Sequence, residues 1–452
     1  MSRHLIAGRF GPSDRARIAK ARDEHPTSLS LLHGEQLGHG IGHALHDLRL
    51  LGLTPNEIGV DLLVLAAHVY AADTRIFRRS EAQDGWTREI RLVVPVSDPQ
   101  RWTSAAPILV RALQFLTGDQ WLIGFRSRPK QFRTTVTPAE PSLLPLPFDG
   151  VSLFSGGLDS LIGAIDALEA GKSPLLVSHA GEGAVSKSQD ACFNGLKLAY
   201  PKATFERLRV WMSFETGLVE GTRPETTTRA RSFLFFSLAA LCGSGLGRDF
   251  VLNVPENGLI ALNVPLDPLR LGALSTRTTH PFYLARWNEL LQAIGIPGRL
   301  ENPYWDKTKG EMASNCANRR LLRRLVPSSL SCSSPANGRW ERQAQGNCGY
   351  CLPCLIRRAA LRGKDPTTYR VQHLRRAVLD STEATGRQIR SCQLAIRRLA
   401  ARPELASTLI HKPGPLFDFP NRHSALADVY RRGMQELERL LRGVHVGPVK
   451  DA

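Results

Sequence analysis

The sequence predicts an α/β fold built on a doubly wound parallel sheet, flanked by an N-terminal α+β region and a C-terminal helical region. Three observations carry that expectation. From Gly150 onward, short apolar strands alternate with longer helical segments, which is the rhythm of parallel βα units. The first of these strands runs into a glycine turn that opens a helix. The chain has 452 residues, 42% of them hydrophobic, enough for two or three domains with real cores. No apolar run reaches the eighteen residues that a membrane span needs.

Residues 1–145 read as the N-terminal accessory region. Asp61–Ala72 is expected to be a buried helix, and Arg88–Val96 alternates as a strand. Pro107–Gly118 reads as a helix and Gln120–Phe125 as a second strand. Four prolines between Pro138 and Pro147 read as a linker. Residues 150–365 form the central unit. Its expected strands are Val151–Phe154, Leu175–His179, Glu206–Ser213 and Phe250–Val254. Its expected helices are Leu161–Ala170, Lys187–Ala199 and Arg229–Leu246. Residues 282–326 look helical, broken at Pro297 and Pro303. In the C-terminal region, 366–452, residues 369–400 and 424–443 read as amphipathic helices. Leu374, Val378 and Leu379 are expected on one face. Residues 410–423 read as a loop, and 447–452 as a disordered tail.

The turn is Ser155-Gly156-Gly157-Leu158-Asp159-Ser160. A strand–turn–helix of this kind aims backbone N–H groups, and the positive end of the helix, at an anion. Adjacent glycines let phosphate oxygens approach the main chain. Ser155 and Ser160 offer hydroxyls, and Asp159 can hold magnesium or cap the helix. The plain alternative is an ordinary loop. In a doubly wound sheet, ligands gather at the carboxyl ends of the strands, where this turn, His179, Met212, Ser213, Glu256 and Asn257 would meet.

A second signal is cysteine spacing. Cys348, Cys351 and Cys354 stand three residues apart, and Cys332 lies sixteen residues before Cys348. Four thiolates suit tetrahedral zinc, with a disulfide pair or an iron–sulfur cluster as the rivals. No secretory leader is evident, so disulfides are not expected and a cytoplasmic location is. Cys192, Cys242, Cys316 and Cys392 are scattered and read as buried small hydrophobes.

The hexapeptide 155–160 resembles the PP-loop, SGGxDS, of the N-type ATP pyrophosphatases, the adenine nucleotide α-hydrolase-like fold. No Gly-Lys-Ser/Thr follows it, so a kinase or γ-phosphate-cleaving motor is disfavoured. With the late cysteines, residues 150–365 resemble the QueC family of 7-cyano-7-deazaguanine synthases. Four further stretches are similar to QueC-like proteins of bacterial anti-phage operons of the Qat type: 228–232, 256–258, 275–281 and 302–311. The gap after Cys332 is longer than in the family pattern, and the chain is about twice the length of an ordinary QueC.

The resemblance implies cleavage of ATP between the α and β phosphates and adenylation of the carboxylate of 7-carboxy-7-deazaguanine or an analogue, followed by amine capture. It implies ATP and magnesium on Ser155, Gly156, Gly157, Leu158, Asp159, Ser160 and His179, and zinc on the four cysteines. Arg229 and Arg231 could grip a phosphate or carboxylate with bidentate forks. As surface residues at a helix start they would face an unfavourable dipole. Lys307 and Lys309 are candidates for phosphate charge, or a solvated pair. Glu256 and Asn257 could read the purine-like edge of the base, or form a turn. His280 is a site candidate, or a loop residue before Pro281.

The formal charge is +18, and residues 301–452 carry 27 Lys and Arg against 13 Asp and Glu, a net of +14. Such a basic third fits an acidic partner, or simply a genome that favours arginine. No helix-turn-helix and no interleaved aromatics support reading of bases, so nucleic acid stays possible without a motif. The large accessory regions fit a protein acceptor from the same operon. The other functions weighed are nitrile synthesis for queuosine-type nucleosides, a PP-loop tRNA-modifying sulfur transferase that would use Cys192, and a non-catalytic basic scaffold.

Overall fold

The computed structural model describes residues 3–82, 84–140, 145–181, 183–266, 277–333, 335–336 and 345–448. Ser275, Thr276, residues 141–144 of the expected linker and most of the 447–452 tail lie outside them.

The N-terminal region runs β1 (Arg3–Arg9), β2 (Glu24–Ser30), a minimal hairpin of β3 (Leu32–His33) and β4 (Gln36–Leu37), α1 (Ile41–Leu50), α2 (Glu57–Arg75), α3 (Arg78–Glu81), β5 (Glu89–Val96), α4 (Pro99–Thr117) and β6 (Gln120–Ser127). Its main sheet has the order β2-β1-β5-β6, and every pair is parallel. The expected α+β region is therefore a parallel sheet of its own. β1 and β2 went unread because β2 buries only every second or third residue and carries polar residues between.

The central unit runs β7 (Gly150–Leu153), α5 (Leu158–Glu169), β8 (Pro174–His179), α6 (Gly183–Ala199), β9 (Glu206–Val210), α7 (Arg231–Ser244), β10 (Phe250–Asn253), α8 (Gly258–Leu262), α9 (Pro281–Ile294) and β11 (Gly298–Glu301). The five strands are all parallel, in the order β11-β10-β7-β8-β9. Strand order reverses on either side of β7, which makes the crevice between β7 and β10 the switch point. Then follow α10 (Lys309–Asn315), α11 (Arg319–Leu325), α12 (Leu352–Leu361), α13 (Ala384–Ala401), α14 (Leu405–Leu409) and α15 (His423–Leu441).

Several expectations need correction. α4 starts at Pro99, with Asp98 accepting from the Arg101 N–H, and Pro107 lies inside it. The segment 282–326 is not wholly helical, because Gly298–Glu301 pairs with β10 as the fifth strand. Residues 369–383 form no helix. Asp380 accepts from the Thr382 N–H and hydroxyl, each at 2.8 Å, which closes a turn, and Val378 is 79% exposed rather than on a buried face.

One hydrophobic core runs without a break from Ile6 in β1 to Leu300 in β11, so the two sheets share their packing through α2 and α7. The Asn56 N–H, at the start of α2, donates to Ser244 Oγ at the end of α7 (3.3 Å). A second core joins α8, α12, α13 and α15 to Cys348, Cys351 and Cys354. No helix among the described residues is long and apolar enough to cross a membrane.

Candidate active site at the switch point

The glycine turn sits at the carboxyl end of β7. Gly156 takes φ 76°, a left-handed conformation that a side chain would strain. α2, α4, α8, α9, α10 and α11 are all capped by side chains, from Asn56, Asp98, Asn257, His280, Thr308 and Asn318. α5 begins behind Gly157 with no side-chain cap, as α1, α7, α12, α13 and α15 also do, so its first-turn amides are open to an outside acceptor. Within the turn, Ser155 Oγ lies 3.2 Å from Ser160 Oγ and accepts from the Gly157 N–H at 3.3 Å. Leu158 is buried and Ser155 exposed.

The turn is held from behind. The Leu330 N–H donates to the Gly156 carbonyl (2.9 Å), and the Ser188 hydroxyl lies 2.9 Å from that oxygen and 2.7 Å from the Ser328 carbonyl. Arg357, fully buried in α12, donates to the carbonyls of Val326 and Ser329 and to the Thr367 hydroxyl. This guanidinium ties the helix carrying Cys354 to the strip that touches Gly156.

Beneath the turn lies a charged cluster. Asp159 pairs with Lys309 at 2.9 Å and accepts from the Asn257 side chain at 2.7 Å and backbone at 3.1 Å. Burial pushes the Asp159 carboxyl up, but Lys309 outweighs it and, with Glu256 and Asn257, holds it below the usual range. Glu256 is pushed well above the usual range by burial and then by the Asp159 charge, so it stands as the protonated partner. Asp159 is thus an ionised carboxylate paired with Lys309 and Asn257. Lys309 is buried, whereas Lys307 is exposed and reaches Asp306 at 3.3 Å.

Beside the turn, at the end of β8, stand His179 and Arg231. His179 is 3% exposed, and neither ring nitrogen completes a hydrogen bond of good geometry, although the Met212 backbone lies close. Burial, then the Arg231 charge, push its pKa down to about 3, so the ring is neutral. The Arg231 side chain forms no ion pair and no hydrogen bond among the described residues, and its Nε is enclosed. Its guanidinium lies 5.4 Å from the Phe235 ring centroid, and burial lowers its pKa. Tyr70 of α2 stands edge-on to His179, ring centroids 5.5 Å apart. A partly desolvated cation without a carboxylate is costly, and an anion beside it would relieve that cost.

The remaining expected site residues have structural roles, and all but Asn257 lie away from the turn. Arg229 stacks on Trp86 at 3.7 Å and donates to the Thr117 carbonyl at 3.0 Å, so it binds the N-terminal region. His280 caps α9 by accepting from the Phe282 N–H, and packs on Phe115. Asn257 is fully buried and caps α8. Cys192 is buried in α6, and burial pushes its thiol up to about 12, far from the reactive thiolate a sulfur carrier needs. Tyr70 and Glu436, described below, were not expected. Each arrives from a distant segment, and no local pattern marks it.

Cys332, Cys348, Cys351 and Cys354 bring their sulfurs within 4.8 Å of one another, two pairs at 3.9 Å. Tetrahedral ligation by four thiolates at about 2.3 Å places sulfurs about 3.8 Å apart, so the group could hold a metal such as zinc.

Fold and cysteine cluster define the class: an α/β protein with two parallel sheets, a glycine turn at the switch point and a four-cysteine group that could hold a metal. No protein-family model matches the chain, and no curated protein matches it.

Proposed function

We propose that this protein is an ATP-dependent, AMP-forming carbon–nitrogen ligase of the QueC-like type, acting on the carboxylate of a 7-deazaguanine. The observation that carries the reading is Arg231, a partly buried guanidinium without a carboxylate partner among the described residues, beside a helix start left uncapped. A triphosphate fits the Gly156–Ser160 amides, and a carboxylate fits Arg231 with the neutral ring of His179 alongside. The carboxylate oxygen attacks the α-phosphorus, a new O–P bond forms, and the bond to pyrophosphate breaks. An amine then attacks the acyl carbon, AMP leaves, and one proton is released with it. Positioning and charge supply most of the acceleration in such steps. Lys309 acts through Asp159 to fix the turn. The four cysteines would hold zinc, which cross-links the strip 326–332 to α12 when bound.

An amine on a partner protein of the same operon, in bacterial anti-phage defence in the cytoplasm, suits a pocket walled by the accessory region through Tyr70. Ammonia as acceptor would instead lead to the nitrile, and mass analysis of the product separates the two. The test is ATP–pyrophosphate exchange with 7-carboxy-7-deazaguanine. Exchange should require that carboxylate, and Arg231→Met should reduce it by about 10²–10³ while leaving stability equal or higher. Exchange at the parent rate in Arg231→Met would sink the assignment.

A further inference from the structure

Away from the switch point, a cavity of about 550 Å³ opens between α12 and α15. Its lining includes Arg358, Arg362, Arg375 and Arg439, against the single carboxylate of Glu436. Arg358 is anchored by the carbonyls of Val371 and Gln372, and Arg375 by that of Arg442. Arg362 and Arg439 are exposed, and form no hydrogen bond or ion pair shorter than 4.0 Å among the described residues. Glu436 is turned away, accepting from the Thr308 hydroxyl at 2.6 Å and the Gly310 N–H at 3.3 Å. Burial pushes its carboxyl above the usual range, against the Thr308 and Gly310 donors.

Arg362 holds a further clue. It ends α12 at φ 47°, in the left-handed region where glycine is the favoured residue. A long cation kept there against its backbone preference adds positive charge at the mouth of an already basic recess.

We propose that this cavity is a second anion site, which takes a compact, multiply charged phosphate ligand of nucleotide size. Arginine forks from several directions match the oxygens of a di- or triphosphate. The lining includes no aromatic ring on which bases could stack, so a nucleic-acid strand fits less well. Occupancy reports to the nucleotide turn: Glu436 fixes Thr308 and Gly310, and between them Lys309 holds Asp159. A Cβ on Gly310 would lie 2.2 Å from the Glu436 carboxylate, so this contact has no slack.

The site stands apart from the ligase reading and is tested without turnover. Tripolyphosphate is titrated calorimetrically into the full chain, into the double variant Arg362→Gly with Arg439→Gln, and into Gly157→Asp, which closes the turn. Gly157→Asp should keep one binding event, and the double variant should lose it, weakening that affinity roughly tenfold or more. The Arg362→Gly change relieves the left-handed strain, so the melting temperature of the double variant should not fall. Equal affinity in the double variant, or loss of all binding in Gly157→Asp, overturns the proposal. Tighter binding of a short single-stranded oligonucleotide than of tripolyphosphate overturns the choice of ligand.

Discussion

Arginine is used in opposite ways in the N-terminal region and around the nucleotide turn. Arg88, fully buried, donates to Asp119 at 2.7 Å, to Asp73 at 3.2 Å and to the Ile76 carbonyl at 2.6 Å. Arg78 joins it on Asp119, and Arg128 pairs with Asp61 and Glu57. Arg231 is only partly buried, with its Nε enclosed, and meets no carboxylate among the described residues. The pairing of a buried charge, more than its burial, separates architecture from a binding role. Asp73 joins the two zones: its other oxygen accepts from the Ala230 N–H, one residue before Arg231. The N-terminal network therefore sets the start of α7 and aims the unpaired guanidinium.

The strongest way to break this contrast is Asp119→Asn. Burial pushes Asp119 up, but Arg88 and Arg78 outweigh it and hold it below the usual range. Removing its charge leaves two buried cations underpaired, and urea unfolding should show a loss of about 3–5 kcal/mol. A loss below about 1 kcal/mol would mean that the network does not support the fold.

Histidines sharpen the comparison at a smaller scale. His68 sits in the N-terminal core, with Nδ1 2.7 Å from the Val64 carbonyl, and burial pushes its pKa down to about 4. His179, without such a bond, is pushed to about 3. The unfolded chain protonates both near pH 6.5, and the folded chain does not until far lower. Their stabilising contribution is therefore complete above about 6.5 and falls as pH drops toward 4 and 3, by about 1.4 kcal/mol per pH unit for each ring. His179→Gln should remove its share of that slope in unfolding free energy measured from pH 6.5 to 5. An unchanged slope would show that the ring titrates normally.

The smallest effect separates neighbouring arginines. Arg229→Gln removes a stacking contact on Trp86 and should cost no more than about 1 kcal/mol, with pyrophosphate exchange unchanged. A collapse of exchange would put Arg229 in the site and blur the distinction.

The central sheet was legible because its strands are short apolar runs punctuated by glycine and proline, and four of its five strands read directly from them. β11 was not, since Gly298-Arg299-Leu300-Glu301 buries one side chain fully and looks like loop. The turn and the four cysteines were legible as local spacing. Arg231 was visible as a motif, but its lack of a partner is a three-dimensional fact. Lys309 and Lys307 looked alike in sequence, and only the fold buries one against Asp159 and leaves the other in water. Glu436, Tyr70 and Arg357 act across long stretches of chain, where no periodicity can signal them.

The strip from Val326 to Leu330 has a consequence for synthesis. It buttresses Gly156 only when Arg357 holds it, and Lys309 is braced only when Glu436 is in place. Both residues leave the ribosome long after the turn they support. A nascent chain that has made the first parallel strands therefore carries the nucleotide motif without its scaffolding, and the pocket matures only when the last helix docks.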